Sequence, residues 1–317
     1  MTKIIAELCQ NHMGDRKLLD EMVSAASEAG ATYCKIQSMQ SRDLTHRKRF
    51  DKGLIEGGKI RVIKRPFRDE IKRLRPLDLS DDDHFYFIEL CKKYKIEPLS
   101  TIFTRSRLKF LEKLKMNAIK VASFDCASSE LLKDLSKSKF KTIYVSTGAT
   151  FDSEILRAKQ ILKKKKLILL HCISIYPTTP MVANMNRINF LRKINNKVGF
   201  SDHSNPDKYG NVLALIALNM GVDLIERHFT ILGKKKTKDG VVSVNFNQLK
   251  KLVNLSKENK NELKLRLKKI KNIKTILGVE KRDLTQVELL NRDYYQGRFA
   301  SKVNNKFIYN WQKFNFK

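Results

Sequence analysis

The amino-acid sequence predicts a (β/α)8 barrel. Eight short apolar runs, rich in β-branched residues, recur from residue 3 onward, and a helical pattern follows each of them. These runs are apolar throughout rather than alternating, which is typical of parallel strands buried on both faces. A doubly wound open sheet is the alternative. It needs fewer strands and usually a glycine-rich phosphate loop after the first strand, and no such loop follows residues 3–9.

The strands and helices alternate from the N-terminus onward. Asp15 is a suitable N-cap for the first helix, whose apolar residues recur three and four positions apart until Gly30. The acids at 81–83 favour the positive end of a helix dipole. The predicted strands are residues 3–9, 32–38, 97–103, 118–123, 141–147, 167–174, 197–203 and 222–230. The predicted helices are residues 16–29, 80–91, 105–115, 128–137, 152–163, 187–194, 207–220 and 247–263.

The sequence divides into two segments of different character. Residues 1–280 are predicted to form the catalytic barrel. Residues 281–317 form a basic, aromatic tail that is too short for a core of its own, so it must dock on the barrel or on a partner subunit. The formal net charge is +31, from 64 Lys and Arg against 33 Asp and Glu. Since the lysines are scattered, we interpret most of this charge as a solvated surface rather than a nucleic-acid site.

The chain has the composition expected of a cytoplasmic protein without a membrane partner. No apolar stretch approaches the length of a transmembrane helix, and the first ten residues do not resemble a signal peptide. The cysteines have no CxxC spacing, and several lie in predicted strands. We therefore interpret them as reduced core residues. They are Cys9, Cys34, Cys91, Cys126 and Cys172.

Two histidines follow neighbouring predicted strands. His203 ends the run VGFSDH and His228 ends LIERH. In a parallel barrel, the C-terminal ends of adjacent strands face one cavity, so these two imidazoles can share a metal ion. Two unrelated histidines, each bonded within its own loop, are the alternative. A metal with only two imidazole ligands keeps open positions for water and substrate, as Lewis-acid catalysis requires. Glu7 and Asp239 are candidates to orient or deprotonate a metal-bound water.

Lysines and hydroxyls also recur at the predicted strand ends. Lys35 and Lys120 supply positive charge, and a buried lysine without an anion is costly. Together they predict a cradle for phosphate or carboxylate. The alternative is that Lys120 forms a Schiff base, as in an aldolase, but that chemistry needs no metal and the histidine pair argues against it. The hydroxyls at the strand ends include Thr101, Ser123, Ser146, Ser174 and Ser201.

Nine ordered motifs resemble the sialic acid (N-acetylneuraminate) synthase family. They are AELCQNHMGD, CKIQ, PLSTIF, IKVASFD, VSTGAT, HCISIYPTTP, GFSDHS, IERHFT and KDGVVSVN. The resemblance covers about residues 1–260 and continues weakly to Ala300. It implies a cytoplasmic, homodimeric barrel enzyme that condenses phosphoenolpyruvate with an N-acetylated amino sugar. The products it implies are a nonulosonic acid and phosphate.

The same resemblance implies a role for individual residues. His203 and His228 match metal ligands, with manganese the usual metal and magnesium or cobalt as alternatives. Glu7 and Asp239 match acidic catalytic residues, and Lys120 is the third catalytic candidate. Gln37 and Tyr176 match positions on the sugar side. The phosphoenolpyruvate-binding positions are matched by Lys35, Thr101, Lys120, Ser123, Ser146 and Ser201, and Ser174 stands where some members carry Asn.

Three features depart from the family pattern: Ser174, Gly240 after Asp239 without the Gly-Pro run that many members carry just before it, and the C-terminal domain. The resemblance implies a C-terminal antifreeze-like domain, of which the tail 281–317 is predicted to be a remnant or a replacement. A basic insert occupies residues 42–75. Its charge can steer an anionic substrate or a phosphorylated sugar into the cavity, or it can form a solvated or dimer-contact loop. Arg298 in the tail is a speculative substitute for the family's sugar-binding arginine.

Three functions therefore remain open at the level of sequence. The first is condensation of phosphoenolpyruvate with N-acetylmannosamine or a di-N-acetylated bacterial analogue. The second is a related reaction with a phosphorylated sugar, as in octulosonate synthesis. The third is a non-catalytic, basic binding protein, which predicts steeply salt-dependent binding to nucleic acid.

Overall fold

The computed structural model describes residues 2–316, and these residues confirm the predicted (β/α)8 barrel. Eight parallel strands close in the order β1-β10-β9-β8-β7-β6-β5-β2. Two antiparallel hairpins, β3–β4 and β11–β12, lie outside the barrel. The strands are β1 Lys3–Cys9, β2 Tyr33–Ser38, β3 Leu54–Glu56, β4 Lys59–Val62, β5 Glu97–Ile102, β6 Ala118–Val121, β7 Thr142–Ser146, β8 Lys166–His171, β9 Val198–Asp202, β10 Leu224–His228, β11 Ser301–Val303 and β12 Lys306–Ile308.

The eight predicted helices are present, two of them interrupted, and four further helices within the described part of the chain were not predicted. The segment predicted as one helix over 207–220 is broken at Gly210, where φ is positive. The predicted helix 247–263 is interrupted because Asn259 caps a new helix. No helix in residues 2–316 is long and apolar enough to cross a membrane. The helices are α1 Arg16–Glu28, α2 Arg49–Lys52, α3 Phe67–Leu74, α4 Asp81–Lys93, α5 Leu108–Lys113, α6 Ser129–Lys137, α7 Asp152–Ile161, α8 Arg187–Ile194, α9 Pro206–Tyr209, α10 Val212–Asn219, α11 Phe246–Leu255, α12 Lys260–Leu267, α13 Ile273–Leu277 and α14 Gln286–Tyr295. Those that were not predicted are α2, α3, α13 and α14.

The inside of the barrel changes from apolar to polar along the strands. Its lower layer is a separate apolar cluster, formed by Ile5, Tyr33, Leu99, Ala118, Tyr144, Ile168, Leu170 and Leu224. Side chains two positions further along a strand point to the same face. The cluster residue Leu224 is therefore followed inside the barrel by Glu226 and then by His228. The same alternation places Lys35 above Tyr33. The alternation of side chains along each strand thus places the reactive residues directly above a packed apolar layer.

The insert and the tail meet above the C-terminal ends of the strands. The backbone N–H of Thr45 donates to the carbonyl of Arg298 at 2.9 Å, and that of Ala300 donates to Asp43 at 3.0 Å. Further along, Asn310 Nδ2 donates to the Phe103 carbonyl at 2.8 Å and to Asp125 at 2.9 Å. The tail therefore docks on its own barrel, one of the two arrangements that the sequence left open.

Asn310→Ala is expected to lower the free energy of unfolding by about 1–3 kcal/mol, the cost of leaving buried polar groups without a partner. Asn310 is 2% exposed, and its amide serves a backbone carbonyl and the buried Asp125 carboxylate together. Urea unfolding measures the loss. Lys302→Ala, at an exposed position of the same tail, is the control and is expected to change little. Equal losses in both variants would contradict a specific anchor at Asn310.

Candidate active site

One cavity of about 280 Å³ opens at the C-terminal ends of the barrel strands. This is where barrel enzymes hold their reactive groups. Twelve of the thirteen residues proposed from the sequence line it: Glu7, Lys35, Gln37, Thr101, Lys120, Ser123, Ser146, Tyr176, Ser201, His203, His228 and Asp239. Ser174 does not line the cavity. It is fully buried against Gly148, and its carbonyl accepts a hydrogen bond from Asn291 in the tail.

A four-residue ion-pair network covers one side of the cavity. Lys35 Nζ lies 2.6 Å from Glu7 Oε2 and 3.0 Å from Glu226 Oε2. Lys120 Nζ lies 2.9 Å from both oxygens of Glu226. Lys35 also donates to Thr101 Oγ1 at 3.0 Å, so all three of its protons are used. The two lysines are therefore balanced by two carboxylates before any substrate anion arrives.

Glu226 was given no role in the sequence prediction, although it occupies the centre of this network. Burial favours its neutral form, but the charges of Lys120 and Lys35 outweigh that effect and hold its pKa well below the usual range. Ser201 Oγ donates to the same carboxylate at 2.8 Å. The available signal was the i, i+2 spacing to His228, because both side chains must then point into the barrel.

Burial lowers the pKa of Lys35 to about 7, against the opposing effect of Glu226. An anion binds best to the protonated amine. We therefore expect the affinity of this cavity for a fully ionised anion to fall by up to about tenfold per pH unit above about pH 7. Calorimetric titrations between about pH 7 and about pH 9 measure this slope. Lys35→Met is expected to bind weakly with a flat profile. A flat profile in the unchanged protein would contradict the assignment.

The two histidines lie side by side, with ring centroids 5.3 Å apart. His203 Nδ1 lies 2.9 Å from the carbonyl of Ile173, so it must carry the proton, which leaves a lone pair on Nε2. Burial lowers the pKa of His203 to about 4, and burial followed by the charge of His203 lowers the pKa of His228. Both rings are thus neutral near pH 7, the form that binds metals. Tyr176 packs on His203 with ring centroids 4.3 Å apart.

A group suited to hold a metal contains one of these histidines. The ligand atoms of Cys9, His228 and Asp239 all lie within 4.8 Å of one another. Burial raises the pKa of Asp239, and that of the Cys9 thiol is raised by burial, then by Asp239 and Glu226. Cys9 is a buried free thiol, as predicted, but it also lines the cavity, where the sequence prediction assigned it no role. The sequence hid this because Cys9 ends an apolar run.

Basic residues of the insert and the tail form the cavity mouth. Arg65, Arg73 and Arg298 line it together with Lys238. Glu70 of α3 holds this rim together: it pairs with Arg298 and lies 3.1 Å from Arg73 and 3.6 Å from Lys238. The insert thus contributes directly to the cavity, and one carboxylate faces three cations there. Long-range pairing between residues 70 and 298 has no signal in local sequence patterns.

Comparison with known proteins gives consistent matches. Residues 22–268 match the profile of the NeuB family. The chain is 30% identical over 306 residues to a pseudaminic acid synthase of Campylobacter jejuni, covering 94% of this chain and 81% of that protein. It is 29% identical to an N,N'-diacetyllegionaminic acid synthase of Legionella pneumophila, covering 94% and 83%. Among solved structures, the N-acetylneuraminic acid synthetase of Leptospira borgpetersenii, in complex with citrate, superposes with a TM-score of 0.70 at 26% identity, covering 92% and 90%.

Proposed function

Since the chain belongs to the NeuB family and is a carbon–carbon bond-forming transferase, we propose that it condenses phosphoenolpyruvate with an N-acetylated amino sugar. The acceptor is N-acetylmannosamine or a di-N-acetylated bacterial analogue, and the products are a nonulosonic acid and phosphate. One observation carries the proposal: two buried lysines, a row of hydroxyls and two neutral histidines face the same cavity. Lysines and hydroxyls can bind an anionic substrate, and neutral histidines can bind a Lewis-acidic metal beside it.

Lys35 and Lys120 are proposed to bind the phosphate and carboxylate of phosphoenolpyruvate. Lys120 donates only to Glu226, so it keeps a proton for the incoming anion. Hydroxyls at separate strand ends supply neutral donors around the same position. They belong to Thr101, Ser123, Ser146 and Ser201, and Ser174 is the fifth candidate from the sequence.

His203 and His228 are the proposed ligands of a divalent metal, for which the family resemblance suggests manganese. Two observations support the fit: both rings are neutral, and the backbone carbonyl of Ile173 fixes the tautomer of His203. The metal, when bound, polarises the aldehyde of the open-chain sugar. Gln37 and Tyr176 are assigned to the sugar side of the cavity.

The remaining chemistry is proposed to use the acidic residues. The C3 carbon of phosphoenolpyruvate forms a bond to the sugar aldehyde carbon as the C=O π bond breaks, which leaves a cation at C2. The aldehyde oxygen takes up a proton and becomes a hydroxyl, and water supplies the balancing proton in the next step. Water adds at C2 and passes its proton to Glu7 or Asp239. The resulting tetrahedral intermediate expels phosphate as the C2–O bond to phosphorus breaks, and a ketone remains. Lys120 offsets the charge that develops on the leaving phosphate.

A phosphorylated acceptor is the second candidate, because the cavity mouth is strongly cationic. Glu70 pairs with Arg73, Arg298 and Lys238, and Arg65 lines the same mouth. Such a rim suits an additional phosphate on the sugar, as in an octulosonate-type synthase.

A phosphate-release assay separates these reactions. The panel contains N-acetylmannosamine, its 6-phosphate, a di-N-acetylated hexose and arabinose 5-phosphate, each with and without added manganese. Turnover with an unphosphorylated N-acetylated hexose supports the main proposal, and turnover only with phosphorylated sugars supports the second. If no sugar in the panel supports consumption of phosphoenolpyruvate, both proposed reactions are overturned. Salt-dependent binding to nucleic acid without turnover would instead favour a basic binding protein.

We also propose that the enzyme works in the cytoplasm as a homodimer. All five cysteines are free thiols, which suits a reducing compartment. The barrel 1–280 and the tail 281–317 are proposed as its two segments, the tail serving as a closing element of the cavity. Sedimentation equilibrium checks the dimer, and a monomer at all concentrations would contradict it.

A further inference from the structure

Cys9 lines the cavity, but the proposed reaction gives it no role. Its Sγ lies 3.5 Å from His228 Nε2 and 3.5 Å from Gln37 Nε2. Cys9, His228 and Asp239 present a sulfur, a nitrogen and a carboxylate oxygen to one another, all within 4.8 Å. Cys9 is 1% exposed and His228 is 8% exposed, so bulk water cannot solvate this group of donors freely.

The backbone at Cys9 aims the thiol at this point. Its φ is 50°, in the left-handed region that favours glycine. The pairing of β1 with β2 shifts its register between Glu7 and Cys9, and the Cys9 N–H donates to the Glu7 carboxylate at 3.1 Å. A side chain in this conformation is strained, and such strain concentrates at functional sites. Glycine would relieve it, so a cysteine there indicates a use for the sulfur.

The donor set matches a divalent metal better than it matches a hydrogen-bonded cluster. A neutral imidazole, a thiol and a carboxylate meet in one cavity. The cations of the cavity mouth, Lys238, Arg73 and Arg298, act on Asp239 and favour its ionised form. Cys9 and Asp239 both become better ligands when a divalent ion lies between them, because it offsets their negative charge. His203 lies next to this group, with its ring 5.3 Å from that of His228. Cys9, His228 and Asp239 thus form a three-donor group, with His203 beside it.

We propose that Cys9 is a direct thiolate ligand of the metal, with Asp239 as a further ligand beside His228 and His203. On binding, the thiol S–H bond breaks, a sulfur–metal bond forms, and the proton passes to the buffer. Sulfur and nitrogen donors favour zinc, iron(II) or cobalt(II) over manganese and magnesium. This chain therefore selects a more thiophilic metal than the family resemblance suggests. The inference rests on the proposed function only in placing a metal at this cavity.

Cobalt(II) titration of the metal-free protein tests the ligand. A cobalt–thiolate bond gives a charge-transfer band in the near ultraviolet, and the unchanged protein is expected to show it. Cys9→Gly is the informative variant, because glycine suits the backbone conformation and keeps the fold. It is expected to lose the band and to bind zinc more weakly. Loss of a residue that only orients a metal ligand reduces affinity by roughly 10–100-fold, and loss of the ligand itself is expected to reduce it by more. The ratio of the variant's affinity for zinc to its affinity for manganese is expected to be smaller than in the unchanged protein.

Cys34→Ala is the matched control, since Cys34 is a buried cysteine of the adjacent strand outside the cavity. It is expected to keep the band and the zinc affinity. A band that persists in Cys9→Gly, or unchanged zinc affinity there, would overturn the inference. A band in the unchanged protein without turnover on any sugar would defeat the proposed reaction and leave the ligand assignment standing. Turnover without the band would support the proposed reaction and overturn the assignment of Cys9 as a ligand.

Discussion

His203→Ala and His228→Ala are each expected to reduce turnover by at least about a thousandfold. Polarisation of a carbonyl by a metal supplies several kcal/mol of transition-state stabilisation, and about 4 kcal/mol corresponds to three powers of ten in rate. The contacts of the two imidazoles leave room for a metal. His203 Nδ1 bonds to a backbone carbonyl, and its Nε2 lies 3.3 Å from Ser201 Oγ. His228 Nε2 lies 3.5 Å from Cys9 Sγ, and its Nδ1 has no hydrogen-bond partner among the described residues. Phosphate release measures the rate, and equilibrium dialysis measures bound metal.

His46→Ala is the control for the histidine variants. His46 lies exposed on the insert, where it pairs with Asp51, so its loss leaves the cavity unchanged. It is expected to retain turnover and bound metal. Full activity of metal-free His228→Ala protein would rule out the metal role, whatever its effect on stability.

Glu226→Gln is expected to lower the free energy of unfolding by about 3–5 kcal/mol, the cost of removing one partner from a buried ion pair. Glu226 lies within 3.0 Å of both Lys35 and Lys120, and these three side chains are nearly inaccessible to solvent. Glutamine keeps the shape of the side chain and removes its charge. Added phosphate is expected to stabilise this variant more than the unchanged protein, because the anion replaces the missing carboxylate.

Asp202→Asn provides the matched comparison. Asp202 Oδ2 lies 2.7 Å from Arg227, and neither side chain is exposed or lines the cavity. Its loss is expected to cost a similar free energy of unfolding, but added phosphate should not restore it. Denaturant unfolding with and without phosphate measures both variants. Equal responses to phosphate would show that the lysines do not form an anion site, and a loss below about 1 kcal/mol in Glu226→Gln would contradict the ion-pair network.

The barrel and most of the cavity could be predicted because they follow from local patterns. An apolar run such as residues 3–9 identifies a strand whatever it packs against. Its C-terminal end identifies which side chains face the cavity, and His203 and His228 were placed in this way. Ser174 shows the limit: residues 172–174 lie beyond the end of β8 at His171, so strand parity no longer fixes where the side chain points.

The rest depends on contacts that local patterns do not encode. Glu226 could be placed at a strand end, but its partners Lys35 and Lys120 lie on distant strands. Cys9 was assigned to the core because a cysteine after an apolar run usually packs there. Cys9 is indeed buried, but a left-handed backbone conformation, which a local pattern does not predict, accompanies its place in the cavity wall. The contact between Glu70 in α3 and Arg298 in the tail joins residues 228 positions apart, and no local pattern encodes such a pairing.

Closure of the barrel has a consequence for how the protein matures. Strand β10 pairs with β1, so Cys9 and His228 become neighbours although 219 positions separate them. Contacts of such long sequence separation form late, after the intervening chain has been ordered. A ribosome-bound nascent chain cannot assemble this donor group until its last barrel strand has emerged. The proposed metal site therefore assembles only when barrel closure brings β1 and β10 together.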